Sequence, residues 1–154
     1  MKRLIIITLV ILLITSSLTG CTWFKEMYYK YQTFMQPYHE DMELAVEYAK
    51  SLILAVGNDD FETAQKYLHP EIINVENILE KKIYGLEEKY NLDFSNGVVI
   101  KSIMDETIAI NNIRSNYTAR FKLIVGGEDF ELFFVATRNN NGFGISNITQ
   151  YKPW

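Results

Sequence analysis

Residues 117–137 read YTARFKLIVGGEDFELFFVAT, and the alternation within them decides the class of fold. Tyr117, Ala119, Phe121, Leu123 and Val125 take every second position, with Thr118, Arg120, Lys122 and Ile124 between them. A period of two puts these sets on opposite faces of a strand, one of which can be buried. Gly126-Gly127 offers the positive φ angles that a two-residue hairpin needs. Phe130 to Thr137 is apolar on both faces apart from Glu131, as expected of a central strand. The stretch therefore reads as one long antiparallel hairpin.

The pattern extends in both directions. Downstream, Asn139-Asn140-Asn141-Gly142 predicts a turn and Phe143 to Tyr151 a last strand. Upstream, Val98-Val99-Ile100 and Thr107-Ile108-Ala109-Ile110 read as strands, with a bend or hairpin near Met104-Asp105-Glu106 that leaves Asp105 and Glu106 in a solvated turn.

Before Val98 the apolar period becomes helical. Met42, Ala45, Ala49, Leu52, Ile53 and Val56 make one face of a helix over about 40–56, with Gly57 as a left-handed cap. Asp59, with Glu62 three residues on, predicts the start of a short second helix carrying Phe61, Ala64 and Leu68 inward. His69-Pro70 breaks it. Asn74 caps a third helix running to about Tyr90, whose stripe is Leu79, Ile83, Leu86 and Tyr90. Three helices followed by an antiparallel meander predict an α+β domain, with the helices packed on one face of a curved sheet.

The first twenty residues carry a different message. Lys2 and Arg3 precede an apolar run from Leu4 to Ile14 that only Thr8 interrupts. At 1.5 Å per residue such a run covers roughly half of a ~30 Å hydrocarbon core, which suits the h-region of an export signal. Residues 15–20 are small and polar enough to be extended for a peptidase. Leu18-Thr19-Gly20-Cys21 resembles the lipobox of bacterial lipoproteins, with Leu18 at −3, Gly20 at −1 and Cys21 at +1. That resemblance implies diacylglyceryl transfer to the Cys21 thiol, cleavage after Gly20, and a lipid-anchored protein on the outer side of the cell membrane. An uncleaved anchor with an incidental cysteine is the alternative.

The expected organisation is a signal over 1–20, an aromatic tether or pre-domain helix over 21–37, and a domain over 38–154. Within the tether, Trp23, Met27, Tyr31 and Phe34 recur at helical spacing. Trp and Tyr favour the membrane–water interface, so this segment is a helix near the bilayer, a pre-domain helix packed on the folded body, or a partly ordered linker. Pro37 ends or kinks it.

Composition excludes several classes. The chain has 15 Lys+Arg against 19 Asp+Glu, and removing Lys2 and Arg3 with the signal leaves 13 against 19, a net of −6. An acidic domain lacks the basic footprint that nucleic acid demands. Cys21 is the single cysteine, so no disulfide and no cysteine-ligated metal is expected. There is no Gly-x-Ser-x-Gly, no Walker sequence and no dinucleotide fingerprint.

A fold family is suggested by order and detail. The helix from Ala45 through Val56, the join Gly57-Asn58-Asp59-Asp60-Phe61 through Leu68-His69-Pro70, the hairpin from Tyr117 to Arg138, and the closing Gly142-Phe143-Gly144-Ile145-Ser146-Asn147-Ile148 together resemble the nuclear-transport-factor-2-like superfamily. The resemblance covers roughly residues 38–151 and implies a cone-like, cystatin-like or nuclear-transport-factor-2-like domain with a pocket between helices and sheet. Phe143 stands where these domains often carry Trp. Such folds host enzymes, transport factors and immunity proteins alike, so the fold does not assign the function.

Candidate site residues are few. Two histidines, His39 and His69, lack metal-ligand spacing, so no metal and no cofactor is expected. His69 is either a helix-end residue with its ring near the last carbonyls or a pocket residue that contacts a ligand. Arg120 could hold an anionic ligand if its face is concave, and is exposed otherwise. The expected function is a non-catalytic ligand- or protein-binding domain, with an envelope protein or a small apolar molecule as partner. An immunity or inhibitor lipoprotein against a secreted enzyme and an acid–base enzyme within the cone are the alternatives.

Overall fold

The computed structural model describes residues 2–111 and 113–150, with side chains from residue 23 onward except at 105. The Cys21 side chain and Tyr151 thus lie outside the described residues. The chain is α+β and divides into two units, one ending at His39 and one beginning at Glu40.

Helix α1 is assigned over Lys2–Val56. It includes residues 15–20, expected to be extended, because helix propagates cheaply between helical neighbours once nucleated. It also continues through Pro37, which neither ends nor interrupts it. Among the described residues no helix is long and apolar enough to cross a membrane. In the first unit Trp23, Met27, Tyr31 and Phe34 are all exposed, as are Phe24, Tyr28 and Tyr29.

In the second unit the six predicted positions of α1, from Met42 to Val56, are all buried. Gly57 follows, but without a positive φ. The left-handed residue is Asp59, at φ 57. Gly57 is needed for another reason: a Cβ there would come within 2.9 Å of the Val98 side chain. The shifted turn also moves the next cap by one residue. Asp60, not Asp59, accepts the Thr63 amide proton at 3.0 Å and starts α2 (Phe61–Gln65).

His69-Pro70 does more than end a helix. Pro70 is the first residue of an extra turn, α3 (Pro70–Ile73), where its missing N–H is no loss. Asn74 closes α3, and α4 (Ile78–Tyr90) begins three residues later than expected, after left-handed Asn77. Leu79 and Ile83 of its stripe are buried.

Four strands follow: β1 (Val98–Ile110), β2 (Ser115–Val125), β3 (Glu128–Asn139) and β4 (Gly142–Thr149). They form an antiparallel meander in sequence order. The expected pair of short strands before Tyr117 is a single strand. Its register slips between Ile100 and Ser102 and again between Met104 and Thr107. A bulge of this kind bends a strand without reversing it, so Glu106 lies in β1 rather than in a turn. Gly126 and Gly127, at φ 57 and 92, make the predicted hairpin turn.

The core face of the sheet is the odd-numbered set of β2 set against the even-numbered set of β3. Phe121 meets Phe134 edge to face at 5.0 Å, and Leu123 pairs with Phe130. Phe121, Leu123, Leu132, Leu52 and Ile53 have no exposed surface. Side chains therefore fill the space in front of the central strands.

The main chain of the helical segment pairs with the sheet at Ile145. The Ile145 amide donates to the Tyr67 carbonyl at 2.8 Å, and the His69 amide donates to the Ile145 carbonyl at 2.9 Å. This short parallel bridge lies over Gly144. A Cβ on Gly144 would sit 2.6 Å from the Leu68 carbonyl and the His69 nitrogen.

Gly144→Ala should therefore lower stability by about 1–3 kcal/mol, because the atoms it strikes are hydrogen-bonded backbone. Gly85→Ala, in α4 with nothing within 4 Å of its Cβ, should raise stability by up to about 1 kcal/mol. Urea denaturation followed by circular dichroism distinguishes the two directions.

Candidate functional site

The join at Gly144 leaves a cavity of about 150 Å³ between α3, α4 and β4. Its apolar wall is built by Leu68, Ile72, Ile78, Leu79, Ile145 and Ile148, and its polar rim by Lys82, Ser146 and Asn147. The rim exists because β4 is bulged: Val135 pairs with Asn147 while Ala136 pairs with Ile145, so Ser146 is the extra residue. Lys82 Nζ donates to Asn147 Oδ1 at 2.5 Å. Partial burial holds the Lys82 ammonium below its usual pKa.

A shallower groove of about 260 Å³ adjoins the cavity along α4. Lys82 and Ile148 are common to both, and Lys81 and Lys89 also line the groove. Neither lining contains a carboxylate, imidazole or thiol among the described residues. Chemically, this arrangement can take up an apolar group and present positive charge beside it. It offers no carboxylate or imidazole for proton transfer.

The residues singled out from the sequence lie elsewhere. His69 is buried but does not line the cavity. Its Nδ1 accepts the Glu71 amide proton at 3.2 Å, which makes it the cap at the start of α3 rather than a ring near the end of α2. That bond assigns the ring proton to Nε2, which has no hydrogen-bond partner among the described residues. Glu71 accepts from Asn139 and Asn141 at 2.9 and 2.7 Å, tying α3 to the β3–β4 turn and lowering its own pKa.

Arg120 lies on the opposite face of β2 from Phe121. It approaches Glu131 at 3.6 Å and stands over the Phe133 ring at 5.9 Å. His69 and Arg120 are not brought into one site. His39 belongs to the first unit, and no cluster of three metal-ligating side chains occurs among the described residues.

Two features were missed from the sequence. One is the cavity itself, of whose lining Leu68 and Leu79 lie on predicted inward-facing stripes and Lys82 carries no sequence signal. The other is a clasp between α1 and the sheet that joins buried Tyr117, half-buried Asp41 and exposed Arg138. Asp41 receives both Nε and Nη2 of Arg138, at 2.6 and 2.5 Å, and the Tyr117 hydroxyl at 2.9 Å. The Arg138 guanidinium lies 4.5 Å from the Phe143 ring centre, and Phe143 packs against Tyr48. These groups satisfy one another, so the clasp holds α1 on the sheet and leaves no charge for a ligand.

A third depression, beside Asp59, Glu87 and Asp93, is acidic. Glu87 and Asp93 are already engaged, accepting the backbone amides of Phe94 and Ser95.

Comparison of the chain with protein-family models, curated proteins and solved structures finds no match.

Burial, and then the bond to Asp41, push the Tyr117 phenol up to about 12. The folded protein keeps this proton where an unfolded tyrosine, near 10, loses it. The associated stability is complete below pH 10 and disappears as pH rises through about 12. Tyr117→Phe should therefore lose stability less steeply than the parent over that interval, in urea midpoints measured at each pH. Equal slopes would contradict the clasp.

Proposed function

We propose that this chain is a lipid-anchored lipoprotein on the outer side of the cell membrane, whose α+β body is a non-catalytic binding domain of the nuclear-transport-factor-2-like kind. The observation that carries the location is Leu18-Thr19-Gly20-Cys21 after a charged and then apolar leader. The binding role is carried by the apolar cavity beside β4, which has no acid–base pair in its lining. Helices preceding an antiparallel meander support the family assignment.

The first unit supports the location from a second direction. At 100° per residue, Trp23, Phe24, Met27, Tyr31 and Phe34 fall within an arc of about 100°, while Lys25, Gln32 and Gln36 lie on the opposite side together with the exposed Tyr29. All five apolar side chains are exposed. A stripe of exposed Trp, Tyr and Phe beginning two residues after a lipidated cysteine suits the headgroup region of a bilayer. The covalent lipid provides the main attachment, since two or more acyl chains anchor stably where one is marginal.

Cys21→Ser tests the location directly. In a bacterial host the parent should incorporate radiolabelled palmitate, lose its leader and sediment with membranes. The variant should stay unlabelled and unprocessed. A parent that takes no label, or a variant that matures like the parent, would overturn the reading.

A further inference from the structure

The cavity beside β4 has a chemical direction that a purely apolar hole lacks. Its wall is aliphatic, but at the rim the Lys82 ammonium donates to the neutral Asn147 amide at 2.5 Å. No carboxylate among the described residues approaches Lys82 within ion-pair distance. An ammonium has three donors, so its capacity exceeds what Asn147 uses.

Beyond the rim the positive character continues. Lys81 and Lys89 line the groove that Lys82 shares with the cavity. In a chain with a net charge of −4 this is a local reversal of sign, placed where the cavity opens. Lys81 also donates to the Glu76 carbonyl at 3.3 Å, and Lys89 stands over the Tyr90 ring at 5.1 Å.

Size narrows the ligand. A cavity of about 150 Å³ is that of an engineered apolar hole able to hold benzene. It accommodates a ring or a short chain of about six carbons.

Resting on the reading of this domain as a binding module, we propose that the cavity and groove take a small anion-headed apolar molecule, a carboxylate bearing a group of about six carbons. The apolar group lies among Ile72, Ile78, Leu79, Ile145 and Ile148, and the carboxylate accepts from Lys82. An ionised acceptor bonds an ammonium more strongly than a neutral amide does. The partly desolvated rim strengthens the attraction relative to bulk water. The lowered pKa of Lys82 fits a rim where positive charge is held at some cost that an anion would offset.

Four isoleucines in the wall provide the readout. The full-length chain, carried in phosphatidylcholine nanodiscs and labelled at isoleucine methyls, is titrated with hexanoate and with 1-hexanol. Hexanoate should shift the methyls of Ile72, Ile78, Ile145 and Ile148, and bind at least about tenfold more tightly than the alcohol. Lys82→Met should remove that advantage, and Lys82→Arg should keep most of it. The dispersion of the methyl spectrum without ligand reports whether each variant is folded.

If 1-hexanol binds as well as hexanoate, or Lys82→Met is inert, the anion preference is overturned and the binding-module reading stands. If neither probe moves the four methyls, both readings fall.

Discussion

A single contact between main chains sets the arrangement of the folded body. Tyr67 to His69 lies along β4 and exchanges two hydrogen bonds with Ile145, at 2.8 and 2.9 Å. The approach is possible because residue 144 has no side chain. Buried backbone groups must be paired, so this exchange both satisfies the helical segment and covers one sheet edge that would otherwise be open. It also fixes where α3 and α4 leave the sheet, and hence the width of the cavity between them.

On the other side of the body a different device holds α1. Asp41, Arg138 and Tyr117 form a closed set of hydrogen bonds, roofed by Phe143 and Tyr48. Leu52, Ile53, Phe121 and Phe134 fill the space in front of the central strands. A domain of this shape could keep its pocket there, between helices and sheet. Here that volume is core, and the accessible cavity is displaced to the β4 edge.

Much of this architecture was readable from the residues. The period-two pattern of Tyr117 to Val125 and the glycine pair after it located the hairpin, and the six apolar positions from Met42 to Val56 located the buried helix face. Both signals are strong because one face of each element is buried and the other is not. Boundaries were less legible where one residue more or less makes no change in pattern. Asp59 and Asp60 are equally good caps on paper, and only the turn's left-handed residue decides between them. The bulge in β1 looked like a reversal, since an inserted residue breaks alternation in the same way as a bend.

The site was less legible than the fold, for a physical reason. His69 and Arg120 attract attention because each is a polar residue in an apolar setting, yet the first caps α3 and the second faces Glu131. Lys82 gives no such signal: it is one lysine among several on an ordinary helix, and its meaning depends on Asn147, 65 positions away. The account depends most on Tyr67–His69 being joined firmly to Ile145, and amide hydrogen exchange at His69 and Ile145 tests it. Both amides should exchange as slowly as those of Phe121 and Phe134, opening only with the sheet. Fast exchange at His69 and Ile145 while β2 and β3 stay protected would contradict it.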